Sequence, residues 1–191
     1  MAIVQSIMAS LGATPAGPPP PTILPDPGGW FNSVANGSNN TLKLKVYDQY
    51  NFDSTDLSSM TLLQTTAAYP FLTTGENYRT YMYTGYVYIP TGANYIFRTV
   101  SDDGSYLWLG TYAWDGNYTI NNALINNGGL HGSQQVDSLQ ITLVGNQWYP
   151  IRVLFGNMEG GTALQIYYST DNNIWDNPTY SYNTATAEGF S

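Results

Sequence analysis

Ser101-Asp102-Asp103-Gly104 sets two neighbouring carboxylates between two strand-like runs, Tyr95 to Val100 and Tyr106 to Leu109. In an extended chain successive side chains point to opposite faces, so adjacent Asp residues would diverge and could not serve one site. A distortion at the Asp-Asp peptide, in the extreme a cis bond, would bring them to one side. Two carboxylates at close range repel, and a hard divalent cation removes that repulsion while taking both as oxygen ligands. The same four residues are also ordinary turn chemistry, because Asp bonds its own backbone and Gly accepts positive φ. Taken alone, they favour the turn.

The elements that would position such a pair are strands. Seventeen Tyr, 19 Gly and 11 Pro, with only 9% charged residues, describe short strands joined by turns and too few helix formers for a helical fold. At 191 residues and 42% hydrophobic content the chain is long enough for one domain with a full core. Thirteen acids against five Lys and Arg leave a net charge of −8, which argues against nucleic acid or anionic membranes as partners and permits cations. With no cysteine there is no disulfide framework, thiolate metal site or cysteine nucleophile, and the redox compartment stays open. Residues 1–13 lack the basic start of an export signal and are too short to span a bilayer.

Residues 1–29 hold Pro18 to Pro21 and then Pro25-Asp26-Pro27-Gly28-Gly29, which read as a flexible linker or tail, with the domain proper expected over 30–191 from Trp30. Leu42 to Tyr47 alternates with Lys43 and Lys45 toward solvent, and Asp53 to Met60 is expected to be irregular. Tyr81, Tyr83, Gly85, Val87 and Ile89 share one parity, and the Thr91 to Asn94 turn predicts a hairpin with Tyr95 to Val100. Leu139 to Leu143 alternates too, and Gly145-Asn146 predicts a second hairpin with Trp148 to Phe155. Leu139, Ile141, Leu143, Ile151 and Val153 are expected in the core. Seven or more strands at this spacing imply an all-β chain, an antiparallel sandwich or barrel with long loops and little helix.

Tyr83 to Pro90 followed by Tyr95 to Gly110 resembles the core of the anthrax protective-antigen type domain, the "PA fourteen" family. Leu44 to Phe52 resembles that family's opening strand and Gly145 to Val153 its late hairpin, so the likeness runs in order over most of Leu42 to Ser169. It implies an antiparallel β-sandwich. The sugar-binding branch, as in yeast flocculins and the large calcium-repeat adhesins of ice-binding bacteria, joins an Asp pair by a cis peptide to hold calcium. Asp102 and Asp103 match that pair. Phe155 to Gly161 matches the branch's partner loop, which implies the Asn157 side chain and the Glu159 and Gly161 carbonyls as further ligands. Five such oxygens leave positions open on an ion that takes roughly six to eight. The candidate sugar contacts are Asp102, Asp103, Asn157 and Glu159, with Met158 and His131 added from their place in the neighbouring loops, although His131 also reads as a surface residue and Asn157 as a turn former. Tyr112 and Trp114 are alternative apolar faces for a sugar ring. The chain lacks the cysteines of the fungal lectins, so its outer loops must be held in another way.

Three functions follow. The preferred one is a calcium-dependent carbohydrate-binding module of an extracellular, cell-surface adhesin, part of a larger protein, taking fucose, glucose or N-acetylglucosamine type sugars. The alternative is a structural or protein-binding sandwich without catalysis. A glycoside hydrolase ranks below both, because it needs two carboxyls about 5–5.5 or 6.5–9.5 Å apart with one kept protonated, which adjacent Asp residues sharing a cation do not provide. Further calcium near Asp48, Asp53 and Asp56 is left open.

Overall fold

A computed structural model describes residues 40–50, 54–182 and 190. The linker expected over 1–29, the domain start at Trp30, and Asp53 lie outside the described residues. Eleven strands follow in chain order: β1 Leu42–Tyr47, β2 Leu62–Ala68, β3 Arg79–Ile89, β4 Ala93–Asp102, β5 Ser105–Leu109, β6 Ile125–Asn127, β7 Gln134–Asp137, β8 Ile141–Leu143, β9 Gln147–Asn157, β10 Ala163–Ser169 and β11 Thr179–Ser181. The only helical pieces among the described residues are single turns at Gly110–Ala113 and Ile120–Asn122. None is long and apolar enough to cross a membrane.

Two antiparallel sheets form the sandwich. One has the order β2-β1-β3-β9-β5-β6 with β11 also on β3, and the other the order β10-β4-β7 with β8 also on β4. Central strands β3 and β9 pair over their full length, Arg79 opposite Asn157 through Ile89 opposite Gln147. Nearly every residue of both is buried, because the larger sheet is covered on both faces. Its inner face carries Tyr81, Tyr83, Val87, Ile151, Val153 and Phe155 against Phe97, Leu164 and Ile166 of the smaller sheet. Its outer face carries Met82, Tyr86, Trp108 and Leu154 under a roof that includes Tyr112, Trp114 and Tyr118. Without disulfides, that roof is pinned by Arg152, which is 3% exposed, donates from Nε to the Ala113 carbonyl at 2.7 Å, pairs with Asp115 and lies 3.9 Å over the Tyr118 ring. Lys43 and Lys45 are consequently half-buried rather than free in solvent, and burial with the neighbouring Lys43 charge lowers the Lys45 ammonium pKa.

Both expected hairpins are corrected. β3 lies in the larger sheet and β4 in the smaller, and β8 and β9 divide likewise, so the Thr91 and Gly145 turns cross between sheets at one rim. Period-2 alternation says which face of a strand is buried but not which sheet receives it. Leu139 is also not core: it is 85% exposed. The side chain of Ser138 accepts from Phe97 N at 2.9 Å and donates to the Leu139 carbonyl at 2.8 Å, which interrupts the edge of β4 between β7 and β8. Leu139 therefore turns outward, and β8 begins only at Ile141, half-buried, while Leu143, Ile151 and Val153 are buried as expected.

Candidate functional site

At the other rim, three connections cross between the sheets: β4 to β5 through Asp102, Asp103 and Gly104, β6 to β7 through residues 128–133, and β9 to β10 through residues 158–162. A rim where three crossings meet brings together residues far apart in sequence, and the candidate residues stand there. The Asp102-Asp103 peptide is cis. Asp102 ends β4 opposite Ala163 at the start of β10, and the Gly156 amide donates to the Gly104 carbonyl at 3.1 Å, so the β9–β10 loop lies against the Asp pair.

The two carboxylates have different surroundings. Asp103 is 6% exposed and accepts two backbone N–H groups, from Met158 at 2.9 Å and from His131 at 3.2 Å, so it ties both neighbouring crossings to itself. Asp102 is half-buried, and no hydrogen bond or ion pair with a described residue engages its carboxylate. Gly161 explains how the loop comes so close: a Cβ there would stand 2.7 Å from Asp102 Oδ2, so any larger residue would press on that carboxylate. The ion pairs among the described residues are Arg79–Glu76, Arg98–Asp137 and Arg152–Asp115, and none supplies a counter-charge to the Asp pair.

Asn157 is fully buried at the end of β9, with its side chain on the inner sheet face shared by Phe155 and Val153. Its Nδ2 donates to the Glu76 carbonyl at 3.0 Å, which fixes the amide, and its Oδ1 has no hydrogen-bond partner. A buried carbonyl oxygen without a partner costs about 1–3 kcal/mol, and an ion, water or ligand is one way to complete it. Met158 follows half-buried, and its carbonyl accepts from Tyr78 N at 2.9 Å. Glu159 and Gly161 are exposed on either side of Gly160, which has a φ of +89°. His131 is half-buried, with Nδ1 2.8 Å from the Gly132 carbonyl and Nε2 3.2 Å from that of Asn127.

The structure thus joins Asp102, Asp103, Asn157, Met158, Gly161 and His131 at one rim, with Glu159 on the exposed part of the same loop. Tyr112 and Trp114 are not brought there; they pack in the outer cluster. No group of three or more His, Cys, Asp or Glu among the described residues could hold a metal. A set of two carboxylates completed by amide and backbone oxygens is the other way to build a hard-cation site. Sequence reasoning missed the supports. Glu76 holds Asn157 from 81 residues away, and Asn127 donates to Ser101 Oγ at 2.9 Å within a buried chain through Ser105 and Thr99 beneath the Asp pair. Contacts of that sequence separation leave no local signal. Asp48 and Asp56, near which further ions were left open, accept the backbone amides of Thr61 and Ser58.

A family model covers the part of the chain that holds these strands and crossings. Residues 79–170 match the GLEYA domain. The GLEYA region runs from the first residue of β3 to just past β10, and so contains both central strands, the Asp pair and the Asn157 loop. No curated protein sequence matches the chain. Among solved structures it is similar to an anti-sigma factor domain-containing protein, with a TM-score of 0.59 and 17% identity over 80% of this chain and 51% of that one. It is likewise similar to the epithelial adhesin 6 A domain from Candida glabrata in complex with Galb1-3GlcNAc, with a TM-score of 0.55 and 17% identity over 81% of this chain and 92% of that one. The epithelial adhesin 9 A domain from the same organism, in complex with Galb1-4GlcNAc, gives a TM-score of 0.53 and 11% identity over 78% of this chain and 92% of that one. The chain spans about half the length of the anti-sigma factor domain-containing structures. At these identities the likeness is one of fold, and with the GLEYA match it bears out the resemblance to the protective-antigen type domain.

Proposed function

We propose that the chain is a calcium-dependent carbohydrate-binding module of an extracellular adhesin, acting without catalysis. The observation that carries this reading is the orphaned Asn157 Oδ1 at the rim where Asp102 and Asp103 stand, neither in an ion pair among the described residues. The donor set fits calcium: Asp102 and Asp103 supply charge, Asn157 a neutral oxygen, and the Glu159 and Gly161 carbonyls are the proposed remainder. When bound, calcium supplies open coordination positions that two adjacent sugar hydroxyls fill.

The residues of this chain do the rest. Asp103 holds the loops bearing His131 and Met158, which flank the exposed side of the pair and are the groups able to select a sugar. Fucose, glucose and N-acetylglucosamine termini are the proposed ligands, each through a vicinal diol. The adhesin A domains of similar fold, solved with galactose-containing disaccharides, support carbohydrate as the ligand class. One such site buries little area, so affinity per module is weak and repetition on a surface supplies avidity.

The test is a glycan array read in calcium and in chelator, beside a free sugar and its vicinally O-methylated form as competitors. Calcium-sensitive signals that the free sugar displaces and the blocked sugar does not are expected. Signals equal in chelator, or displaced equally by the methylated sugar, refute the diol-on-calcium reading.

A further inference from the structure

Asp102 belongs to a sheet face as well as to the candidate ion site. Along β4 the inner parity, Tyr95, Phe97, Thr99 and Ser101, is at most 1% exposed, whereas Ile96, Arg98, Val100 and Asp102 share the outer parity and are half-buried. The register carries that parity to the neighbouring strands. Gln165 of β10 and Gln135 of β7 both stand opposite Val100, while Leu164, Ile166 and Val136, one residue away, pack in the core. Two residues from Asp102, about 7 Å along the strand, the same face therefore presents Gln165, Val100 and Gln135 side by side across three strands. Gln135 is exposed, and Val100 and Gln165 are half-buried. The next row holds Tyr167, Arg98 and Asp137, and Trp175 closes it, its ring centre 3.4 Å from Arg98 Cζ.

The two amides flanking Val100 are anchored alike, each through its carbonyl and each by a residue of the next row. Tyr167 Oη donates to Gln165 Oε1 at 3.0 Å. The Gln135 amide, in the orientation that matches its neighbours, accepts from Arg98 Nη2 at 2.8 Å. Neither NH2 group then has an acceptor among the described residues. The Arg98 charge is already met by Asp137 at 2.6 Å. What the row offers is two neutral donors, on strands about 10 Å apart, on either side of an apolar centre.

From this row and its continuity with Asp102 we infer that Gln165, Val100 and Gln135 take the second unit of a neutral glycan whose terminal unit is held at Asp102 and Asp103. The inference rests on the calcium-lectin reading and extends it from one sugar to two. A sugar ring has an apolar face and a rim of hydroxyls, so Val100 meets the face and the amide N–H groups meet rim oxygens. The stack of Trp175 on Arg98 ends the platform after one unit. The chain's net charge of −8 disfavours an acidic unit there.

The test titrates methyl glucoside, maltose, cellobiose and laminaribiose into the protein by calorimetry, in saturating calcium and in chelator. In calcium at least one disaccharide is expected to bind about tenfold more tightly than methyl glucoside, the worth of two net hydrogen bonds between neutral groups. The double variant Gln135→Met with Gln165→Met keeps side-chain length, removes both donors and leaves Arg98 its pair with Asp137. It should bind methyl glucoside as the parent does, which also reports an intact fold, and lose the disaccharide gain. If no disaccharide exceeds methyl glucoside, or the gain survives in the variant, the row is not a subsite, while calcium-dependent methyl glucoside binding keeps the underlying reading. Loss of methyl glucoside binding in the variant would overturn the separation of the two units. If the parent binds all four sugars equally in calcium and chelator, or binds none, the calcium-lectin reading falls for glucose and the subsite with it.

Discussion

Replacing Asn157 by Leu separates a cation ligand from a packing residue. Leu has nearly the shape of Asn and removes the unpartnered Oδ1 and the Nδ2 donor to the Glu76 carbonyl together. Without calcium the two changes oppose each other: relief of a buried orphan is about 1–3 kcal/mol, and loss of one hydrogen bond costs about 1 kcal/mol. Stability of the ion-free variant is therefore expected within about 1–2 kcal/mol of the parent or slightly above it. With calcium at a hundredfold its dissociation constant, the parent gains about 2.7 kcal/mol by linkage. Removing one oxygen ligand to a doubly charged ion is comparable to losing a charge-assisted hydrogen bond, about 1.5–3 kcal/mol, or ~10–150-fold in affinity. At the same calcium concentration the variant then keeps only about 0.3–1.4 kcal/mol. For a chain of this size 1 kcal/mol moves Tm by about 2–4 °C, so the calcium shift should be roughly 5–11 °C in the parent and at most about half that in Asn157→Leu. The assay is a thermal melt of both proteins in calcium and in chelator. Equal calcium shifts in the two would refute the assignment of Asn157 Oδ1 as a ligand.

Asp102→Asn and Asp103→Asn should differ, because the Asp102 carboxylate has no partner among the described residues whereas both Asp103 oxygens already accept backbone N–H groups. An amide at 103 sets N–H against N–H, so Asp103→Asn should lose about 1–3 kcal/mol even in chelator. Asp102→Asn should melt as the parent does in chelator and lose only the calcium shift; equal losses in chelator would contradict the division of roles. Gly161→Ala, whose Cβ would stand 2.7 Å from Asp102 Oδ2, should weaken calcium binding about tenfold or more in a direct ion titration, and unchanged affinity would show the loop free to yield. Tyr83 and Tyr180 are fully buried with unpartnered hydroxyls, and burial raises both phenol pKa values above their ordinary 10. A phenol that keeps its proton when folded and loses it more easily when unfolded contributes stability that is fully present below pH 10 and falls as pH rises from there toward the folded value. Tyr83→Phe should therefore raise Tm at neutral pH, by about 2–4 °C if the orphan costs 1 kcal/mol, and flatten the alkaline loss.

Strands β4 and β10 were legible because buried and more exposed positions alternate along them, whereas β3, β5 and β9, buried on both faces, were marked by aromatic and apolar runs between turn residues. The pairing was not, since the alternation of Tyr81 to Ile89 is the same whether its neighbour is β4 or β9. Leu139 was misread for a local reason: the Ser138 hydroxyl replaces a ladder partner at Phe97, and nothing in an alternating run reveals that substitution. At the site, Asp102 and Asp103 were visible as an oddity of spacing, but two readings remained open until a family resemblance supplied the Asn157 loop. The supports come from Glu76, on the β2–β3 connection, and Asn127, at the end of β6, and only the folded chain sets them against those residues.

The most direct test of the central claim is calorimetric titration of fucose and of glucose into the protein, first in calcium, then after chelation, then after calcium is restored. The account predicts saturable heat of binding for at least one of the two sugars in calcium, none in chelator, and full recovery on restoration, with Asp102→Asn silent throughout. Binding of equal strength in chelator, or in Asp102→Asn, would contradict it.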